Sequence, residues 1–207
     1  MQILSHRGFW SKTIEKNSLN AFKNSFESGF GLETDLRDRD GELVVAHDLP
    51  TSKDLLFTTF KSLASKYNLF LALNIKSDGL ANLVKDNMKD FPSINWMVFD
   101  MSIPDMLQHL SVGNPIYTRI SEIEKHPACY EECIGIWLDA FFSEWYSTKD
   151  IEHHLKMKKK ICIVSPELHN RQHLNLWLSL KENNLYKDEN LMLCTDFPDK
   201  AKLYFNL

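Results

Sequence analysis

The chain has 207 residues, of which 43% are hydrophobic and 25% are charged, values that are ordinary for a folded globular protein. Its formal net charge of −4 argues against a dedicated nucleic-acid-binding protein, because such proteins present a basic surface. No apolar run approaches the roughly 20 residues that a membrane-spanning helix needs.

The N-terminal residues and the cysteines bear on the compartment. The first residues, MQILSHRG, lack the charged region and the long apolar core of a signal peptide, so we predict a cytoplasmic protein. The four cysteines have no zinc-type spacing. Cys162 and Cys194 lie inside apolar runs, which predicts small core residues rather than ligands or disulfide partners. A low cysteine content is compatible with a reducing cytosol.

Short apolar segments predict eight strands that alternate with helices along the whole chain. The predicted strands are Gln2–Ser5, Leu32–Leu36, Leu69–Ile75, Trp96–Phe99, Pro115–Thr118, Ile134–Leu138, Ile161–Val164 and Leu191–Cys194. An Asp40-Gly41 turn signal after the second strand predicts a hairpin, whose returning segment is the apolar run from Leu43 to Ala46.

Helical spacing of apolar residues occupies the segments between these strands. The predicted helices are Asn17–Glu27, Asp54–Lys66, Gly79–Met88, Pro104–Leu110, Thr148–Met157, Leu174–Asn183 and Asp199–Phe205. Between Ser121 and Cys133 the pattern predicts two short helical turns interrupted by Pro127. Nearly continuous apolar strands separated by helices indicate a parallel sheet covered on both faces. Eight such units predict a closed (β/α)8 TIM barrel, as a single domain over residues 1–207, with a doubly wound open sheet as the alternative.

Polar side chains gather where the predicted strands end, which is where a barrel builds its functional site. Glu33 and Asp35 are two residues apart on an extended segment, so both carboxylates point to one face. His47 and Asp48 end the hairpin partner of that strand. Two carboxylates beside an imidazole predict a hard-cation site with an adjacent proton-transfer group. The other strand-end residues are His6, Arg7, Asn74, Lys76, Asp100, Arg119, Asp139, Glu167, His169 and Asp196.

A series of motifs carries a resemblance that covers nearly the whole chain. SHRG, NSLNAF, LETDL, DGELVVAHD, LNIK, VSPELHNR and CTDFPD resemble, in matching order, the motifs of the glycerophosphodiester phosphodiesterase family. The resemblance implies a TIM barrel in which two histidines exchange protons and acidic residues hold a divalent cation, Mg²⁺ or Ca²⁺. The matching positions are His6 and His47 for proton transfer, Glu33 and Asp35 for the metal, and Arg7 and Lys76 for the phosphate.

The chain departs from the family pattern at three places. Asn74 stands where the family has its third carboxylate ligand. An amide oxygen there can ligate the cation without adding charge, or can serve as a hydrogen-bonding neighbour of the ligands. The glutamate of the family's PENT stretch is displaced to Glu15, and Lys16 takes its place. The small insertion that usually follows the second strand is missing, because only a few residues separate Asp48 from the next helix.

Three further residues have two interpretations each. Glu167 either belongs to a polar loop or lines the mouth of the barrel and offsets the charge missing at Asn74. Trp137 forms either an apolar wall for the substrate alcohol or part of the core. Arg119 contacts either the phosphate or a carboxylate across the barrel.

The residues and the resemblance together predict a metal-dependent phosphodiesterase. It would hydrolyse a glycerophosphodiester, or a related small phosphodiester, to a phosphomonoester and an alcohol, with no nucleic-acid partner. One alternative is a degenerate barrel that binds phosphorylated ligands without hydrolysing them, suggested by Asn74, Lys16 and the missing insertion. Another is a lyase that stops at the cyclic phosphate. The presence of both His6 and His47 favours an enzyme.

Overall fold

The computed structural model describes residues 1–89, 91 and 94–207. The chain divides into two compact units. Ser5–Ile116 is termed here the N-terminal unit, and Met1–Leu4 with Tyr117–Leu207 the C-terminal unit. In each unit strands alternate with helices. The single-domain organisation over residues 1–207 stays a prediction.

The N-terminal unit contains a mixed sheet centred on its second strand. The strands are β1 (Gln2–His6, of which Ser5 and His6 belong to this unit), β2 (Gly31–Arg39), β3 (Glu42–Val45), β4 (Leu55–Leu56), β5 (Leu71–Ile75) and β6 (Trp96–Phe99). β5 pairs in parallel with β2 and β6, whereas β3 pairs antiparallel with β2 and β4. The β2–β5 register places Asp35 opposite Asn74.

The described residues of this unit also form the α-helices α1 (Leu19–Glu27), α2 (Phe57–Ala64), α3 (Ala81–Met88) and α4 (Ile103–Ser111). Ser18 caps α1 by accepting a hydrogen bond of 3.2 Å from the Ala21 N–H, which satisfies one of the free donors at the start of the helix. Phe22 and Phe26, on the buried face of α1, contact Phe60 of α2 with ring centroids 5.0 and 6.4 Å apart. This aromatic contact packs α1 against α2.

The C-terminal unit is built on parallel strands. They are β7 (Tyr117–Ile120), β8 (Gly135–Leu138), β9 (Lys160–Val164) and β10 (Leu191–Thr195), each paired with the next, and β10 is followed in strand order by β1. The helices are α5 (Thr148–Lys156), α6 (Leu174–Glu182) and α7 (Pro198–Phe205). Cys162 and Cys194 are fully buried, as predicted, and all four cysteines are free thiols.

The predicted α/β class and the order of strands and helices are confirmed. The two helical turns predicted between Ser121 and Cys133 are wrong, since the segment forms turns and bends. The closed barrel is not observed: among the described strands β6 pairs with β5 alone, beyond which Val98 makes one isolated parallel bridge to Ile116. None of the described helices is long and apolar enough to cross a membrane.

Candidate functional site

The turn after β1 holds Arg7 against β2. The Arg7 N–H donates to the Glu33 carbonyl at 2.9 Å, and the Asn17 N–H donates to the Arg7 carbonyl at 2.9 Å. Gly8 has a φ of +97°, and a Cβ atom there would lie 2.6 Å from the Ala21 Cβ. Only glycine therefore lets α1 approach this turn so closely.

The β2–β3 hairpin positions His47. Asp40 and Gly41 have φ values of +53° and +83°, and a type I′ turn requires positive φ at both central residues, so the predicted hairpin is confirmed. The His47 carbonyl accepts a hydrogen bond of 3.1 Å from Arg37 Nε, which ties the end of the hairpin to β2. His47 Nδ1 lies 2.9 Å from Asp48 Oδ1, and this contact orients the imidazole.

The Asp35 carboxylate is fully buried and surrounded by cations and an amide. Its Oδ2 accepts a hydrogen bond of 2.8 Å from Asn17 Nδ2 and lies 3.0 Å from Arg7 Nε. Its Oδ1 lies 3.5 Å from Lys76 Nζ. Lys76 Nζ is also 3.9 Å from Asp100 Oδ2. The two residues predicted to bind phosphate therefore lie beside a predicted metal ligand.

Glu33 lies two residues before Asp35 and is 2% exposed. Its Oε2 accepts a hydrogen bond of 3.2 Å from the Arg7 N–H and lies 4.0 Å from His6 Nε2. Burial and the nearby charge of Asp35 raise the pKa of Glu33 to about 8, against the opposing effect of Arg7 and Lys76. Without a further cation nearby, Glu33 therefore retains its proton at neutral pH.

Asn74 completes the cluster from β5. Its Nδ2 donates to Asp100 Oδ2 at 3.2 Å and lies 3.5 Å from Glu33 Oε1. Among the described residues, neither Asn74 Oδ1 nor Asp35 Oδ1 has a hydrogen-bond partner, although both atoms are buried. A buried oxygen without a donor is costly, and a cation would satisfy it.

These oxygen atoms decide whether the residues fit a metal. Within the described part of the chain, no group of three histidine, cysteine, aspartate or glutamate side chains is placed to hold a metal ion. The third candidate ligand, beside Glu33 and Asp35, is the amide oxygen of Asn74, and asparagine is not one of those four residue types. Glu33, Asp35 and Asn74 supply the carboxylate and amide oxygens that Mg²⁺ and Ca²⁺ prefer, and within the described chain the buried Asn74 Oδ1 has no hydrogen-bond donor. The donor set therefore fits a hard divalent cation.

A cleft of about 670 Å³ brings the arginine and the second histidine together. Arg7, Asn17 and His47 all line it. Lys16 lines it as well, with its ammonium group 4.5 Å from the centre of the Trp10 ring. The displaced Glu15 instead accepts a hydrogen bond of 2.9 Å from the Ser11 N–H at the surface.

Sequence reasoning did not include Asn17 and Asp100 among the site residues. Asn17 begins the first predicted helix in the sequence, but Ser18 caps α1, which leaves the Asn17 side chain to bond Asp35. Asp100 follows the fourth predicted strand, and that position was the available signal for its contacts with Asn74 and Lys76.

Glu167 lies in the C-terminal unit, in a 3₁₀ turn over Pro166–His169. Its carboxylate accepts hydrogen bonds from Ser165 Oγ at 2.5 Å, from the Asp196 N–H at 3.1 Å and from Thr195 Oγ1. These contacts join the ends of β9 and β10. A role of Glu167 toward the substrate stays a prediction.

The other predicted residues of the C-terminal unit have different surroundings. Trp137 lies on β8 and is only 4% exposed, so it belongs to the core, and its role as a substrate wall stays a prediction. Arg119 pairs with Glu124, five residues along the chain, rather than with a carboxylate across the barrel, and its contact with the phosphate stays a prediction. His169 Nε2 lies 2.7 Å from Asp139 Oδ1, which joins two strand-end residues.

The chain has the fold of solved glycerophosphodiester phosphodiesterases. The structure of the enzyme from Agrobacterium tumefaciens str. C58 matches with a TM-score of 0.70 and 14% identity, over 100% of this chain and 100% of that one. The structure of a glycerophosphoryl diester phosphodiesterase from Parabacteroides distasonis ATCC 8503 matches with a TM-score of 0.57 and 13% identity, over 99% of this chain and 86% of that one. No family model and no curated protein sequence matches the chain. The family resemblance of the motifs is thus confirmed in the fold.

Proposed function

We propose that the chain is an enzyme of the glycerophosphodiester phosphodiesterase type. It hydrolyses a glycerophosphodiester, or a related small phosphodiester, to a phosphomonoester and an alcohol. The observation that carries the proposal is the cleft lined by both Arg7 and His47, with Arg7 contacting the buried carboxylate of Asp35. The likeness of the fold to two phosphodiesterases supports the same reaction class.

Arg7 and Lys76 stabilise the negative charge of the phosphodiester. The substrate is anionic, and its displacement gathers negative charge on the phosphoryl oxygens and on the leaving oxygen. The contact of Arg7 Nε with Asp35, at 3.0 Å, holds the guanidinium in one orientation. A guanidinium held in this way binds phosphate oxygens through paired N–H donors, and the Lys76 ammonium adds a second positive charge.

His6 and His47 transfer the protons. One histidine accepts the proton of the attacking oxygen, and the other gives a proton to the leaving alcohol. When His47 Nδ1 carries the proton that it shares with Asp48, its Nε2 becomes the atom that accepts a proton. The attacking oxygen is that of water or of a neighbouring hydroxyl on the substrate.

Glu33, Asp35 and Asn74 are proposed to hold the divalent cation, Mg²⁺ or Ca²⁺, through their side-chain oxygens. When bound, the cation supplies positive charge for the phosphoryl and leaving oxygens. Because the pKa of Glu33 is about 8, cation binding at neutral pH requires this carboxyl group to release its proton.

The remaining predictions complete the proposal. We propose that β1, β2 and β5 to β10 correspond to the eight strands of a (β/α)8 barrel in a short version, since only residues 46–56 separate β3 from α2. A small phosphodiester as the partner and no nucleic-acid partner are proposed on the sequence grounds given above. A cytoplasmic location is proposed because all four cysteines are free thiols, which suits a reducing compartment.

A non-catalytic barrel that binds phosphorylated ligands is the second candidate. Asn74 favours it, because its amide Nδ2 lies 3.5 Å from Glu33 where the family carries another carboxylate. A weaker cation site would follow from the lower charge. A lyase that releases a cyclic phosphate is the third candidate.

Phosphorus NMR of the products distinguishes the three. The substrates are glycerophosphocholine, glycerophosphoethanolamine and glycerophosphoglycerol, each with Mg²⁺ or Ca²⁺ and each repeated with chelator. A monoester signal that disappears in His6→Ala, in His47→Ala and with chelator is expected, and a persistent cyclic phosphate would identify the lyase. The matched control is His126→Ala, an exposed histidine outside the cleft. No turnover by the folded protein across the panel would favour the binding protein.

A further inference from the structure

Two aliphatic side chains that line the cleft are almost fully exposed to solvent. Ile14 is 91% exposed and Leu49 is 82% exposed, the two highest values among the large hydrophobic residues of the described chain. Both line the cleft that contains Arg7 and His47. Single exposed apolar residues are common on protein surfaces, but these two line the same cleft, and exposed apolar residues at one cleft indicate a binding surface. Ile14 and Leu49 are termed here the apolar patch.

The patch continues along the cleft and lies beside positive charge. Leu19, which is 38% exposed, and Leu55 also line the cleft. Among the acidic residues that line it, Asp48 contacts His47, and Asp54 accepts hydrogen bonds of 2.5 and 2.9 Å from the backbone and hydroxyl of Thr51. One cleft thus combines cationic side chains with an aliphatic rim, and a ligand that matches both must be amphiphilic.

We propose that this cleft takes an amphiphilic phosphodiester whose alcohol carries a single alkyl or acyl chain. Its phosphate lies at Arg7, and its chain lies against Ile14 and Leu49. This proposal rests on the proposed function, which makes the ligand a phosphodiester. It adds that one of the two alcohols esterified to the phosphate carries an alkyl or acyl chain. A water-soluble glycerophosphodiester would leave both aliphatic side chains in water, whereas an alkyl chain would remove apolar surface of both partners from water. A volume of about 670 Å³ is in the range of small-molecule sites.

Equilibrium binding tests this without turnover. The probes are n-alkylphosphocholines with four to ten carbons, which are phosphodiesters, titrated calorimetrically below their micellar concentrations. For the wild-type chain, we expect the dissociation constant to fall about two- to fourfold for each added methylene group. In the double variant Ile14→Ser/Leu49→Ser, the ten-carbon probe should bind at least about tenfold more weakly, with the four-carbon probe unchanged.

A matched control uses exposed aliphatic residues elsewhere. Ile123 and Leu203 are 68% and 78% exposed and do not line the cleft. The variant Ile123→Ser/Leu203→Ser should keep the wild-type dependence on chain length. No dependence in the wild type, or an equal loss in both double variants, would overturn the proposal. So would a wild-type dimer that dissociates in Ile14→Ser/Leu49→Ser without any chain-length dependence, because the patch would then be an interface between copies.

Turnover, measured separately, keeps this proposal distinct from the proposed function. Hydrolysis of glycerophosphocholine together with chain-length-independent binding would retain the enzyme and remove the amphiphile site. Chain-length-dependent binding without hydrolysis of any phosphodiester would support the amphiphile site and remove the enzyme.

Discussion

The amide of Asn17 donates a hydrogen bond of 2.8 Å to Asp35 Oδ2, while its own Oδ1 accepts one of 2.9 Å from Thr34 Oγ1. Asn17 has a φ of +59°, in the left-handed region that asparagine tolerates better than most residues. One side chain therefore ties the turn before α1 to two successive residues of β2. It does so at the carboxylate that Arg7 and Lys76 also contact.

Substitutions at Asn17 separate the side-chain bonds from the backbone conformation. Asn17→Gly keeps the positive φ and removes both bonds, so we expect the free energy of unfolding to fall by about 1–3 kcal/mol. In Asn17→Ala, the free energy of unfolding should fall by about 1 kcal/mol more than in Asn17→Gly, because alanine is strained at this φ. Urea denaturation of the three proteins measures both effects. A glycine variant as stable as the wild type would show that the two bonds contribute nothing net.

The pKa of Glu33 predicts a dependence of stability on pH in the absence of metal. The group's ordinary pKa is 4.5 and its value in the fold is about 8, so between these pH values the folded chain binds more protons than the unfolded chain. The free energy of unfolding should therefore fall as the pH rises from about 5 to 8.

Glu33→Gln should reduce this pH dependence, because the amide does not titrate. Mg²⁺ or Ca²⁺ should stabilise the wild type more at pH 8 than at pH 5.5, where the proton competes with the cation. Urea denaturation in chelator and in 5–10 mM metal (roughly the range for a weak site) measures both effects. Identical pH profiles for the wild type and Glu33→Gln would contradict the shifted pKa.

Replacing His47 should abolish activity without affecting the fold. His47→Ala removes one proton-transfer group, and we expect kcat to fall about 10²- to 10⁴-fold. The imidazole is 44% exposed, so stability should change by less than about 0.5 kcal/mol. Steady-state kinetics on glycerophosphocholine measure the change in kcat, and thermal denaturation measures the change in stability. His126→Ala is the control for both. An active His47→Ala would remove this histidine from the mechanism.

Asn74→Asp tests the amide in the proposed cation site. In chelator, the added carboxylate would lie beside Glu33, Asp35 and Asp100, and we expect it to lower the free energy of unfolding by about 1–3 kcal/mol. With Mg²⁺ or Ca²⁺, it should raise the metal-induced increase in melting temperature above that of the wild type, because carboxylate charge strengthens cation binding. Asn74→Ala, which offers no ligand, should show a smaller increase than the wild type. Equal increases in all three proteins would place the cation elsewhere.

Local signals predicted most of the fold. Strand β6 was placed at Trp96–Phe99 from its apolar run alone, and the Asp40-Gly41 turn was predicted from its residue types. Both depend on interactions between residues close in sequence. Pairing between distant segments is different: whether β6 gains a second ladder depends on how whole units pack, and periodicity does not report this.

The same distinction applies to the site. The alternation of β2 predicted that Glu33 and Asp35 share a face, and both contribute to one cluster. That Asn74 lies opposite Asp35 depends on the register of a parallel pair, which is set by helix packing rather than by a turn. The contact of Asn17 depends on a single backbone angle in a loop. Neither has a local sequence signal.

The two-residue turn at Asp40-Gly41 also defines where the protein can be redesigned. One residue inserted directly after Gly41 would shift the pairing of β3 with β2 and turn the side chains of β3 to the opposite face. Residues 49–54 follow His47 and Asp48 and belong to no strand. Under the proposed function, a longer loop grafted there would change which alcohols the cleft accepts and would leave β2 and β3, which precede it, unchanged. Substrate specificity could therefore be altered in residues 49–54 without changing the β2–β3 hairpin that precedes them.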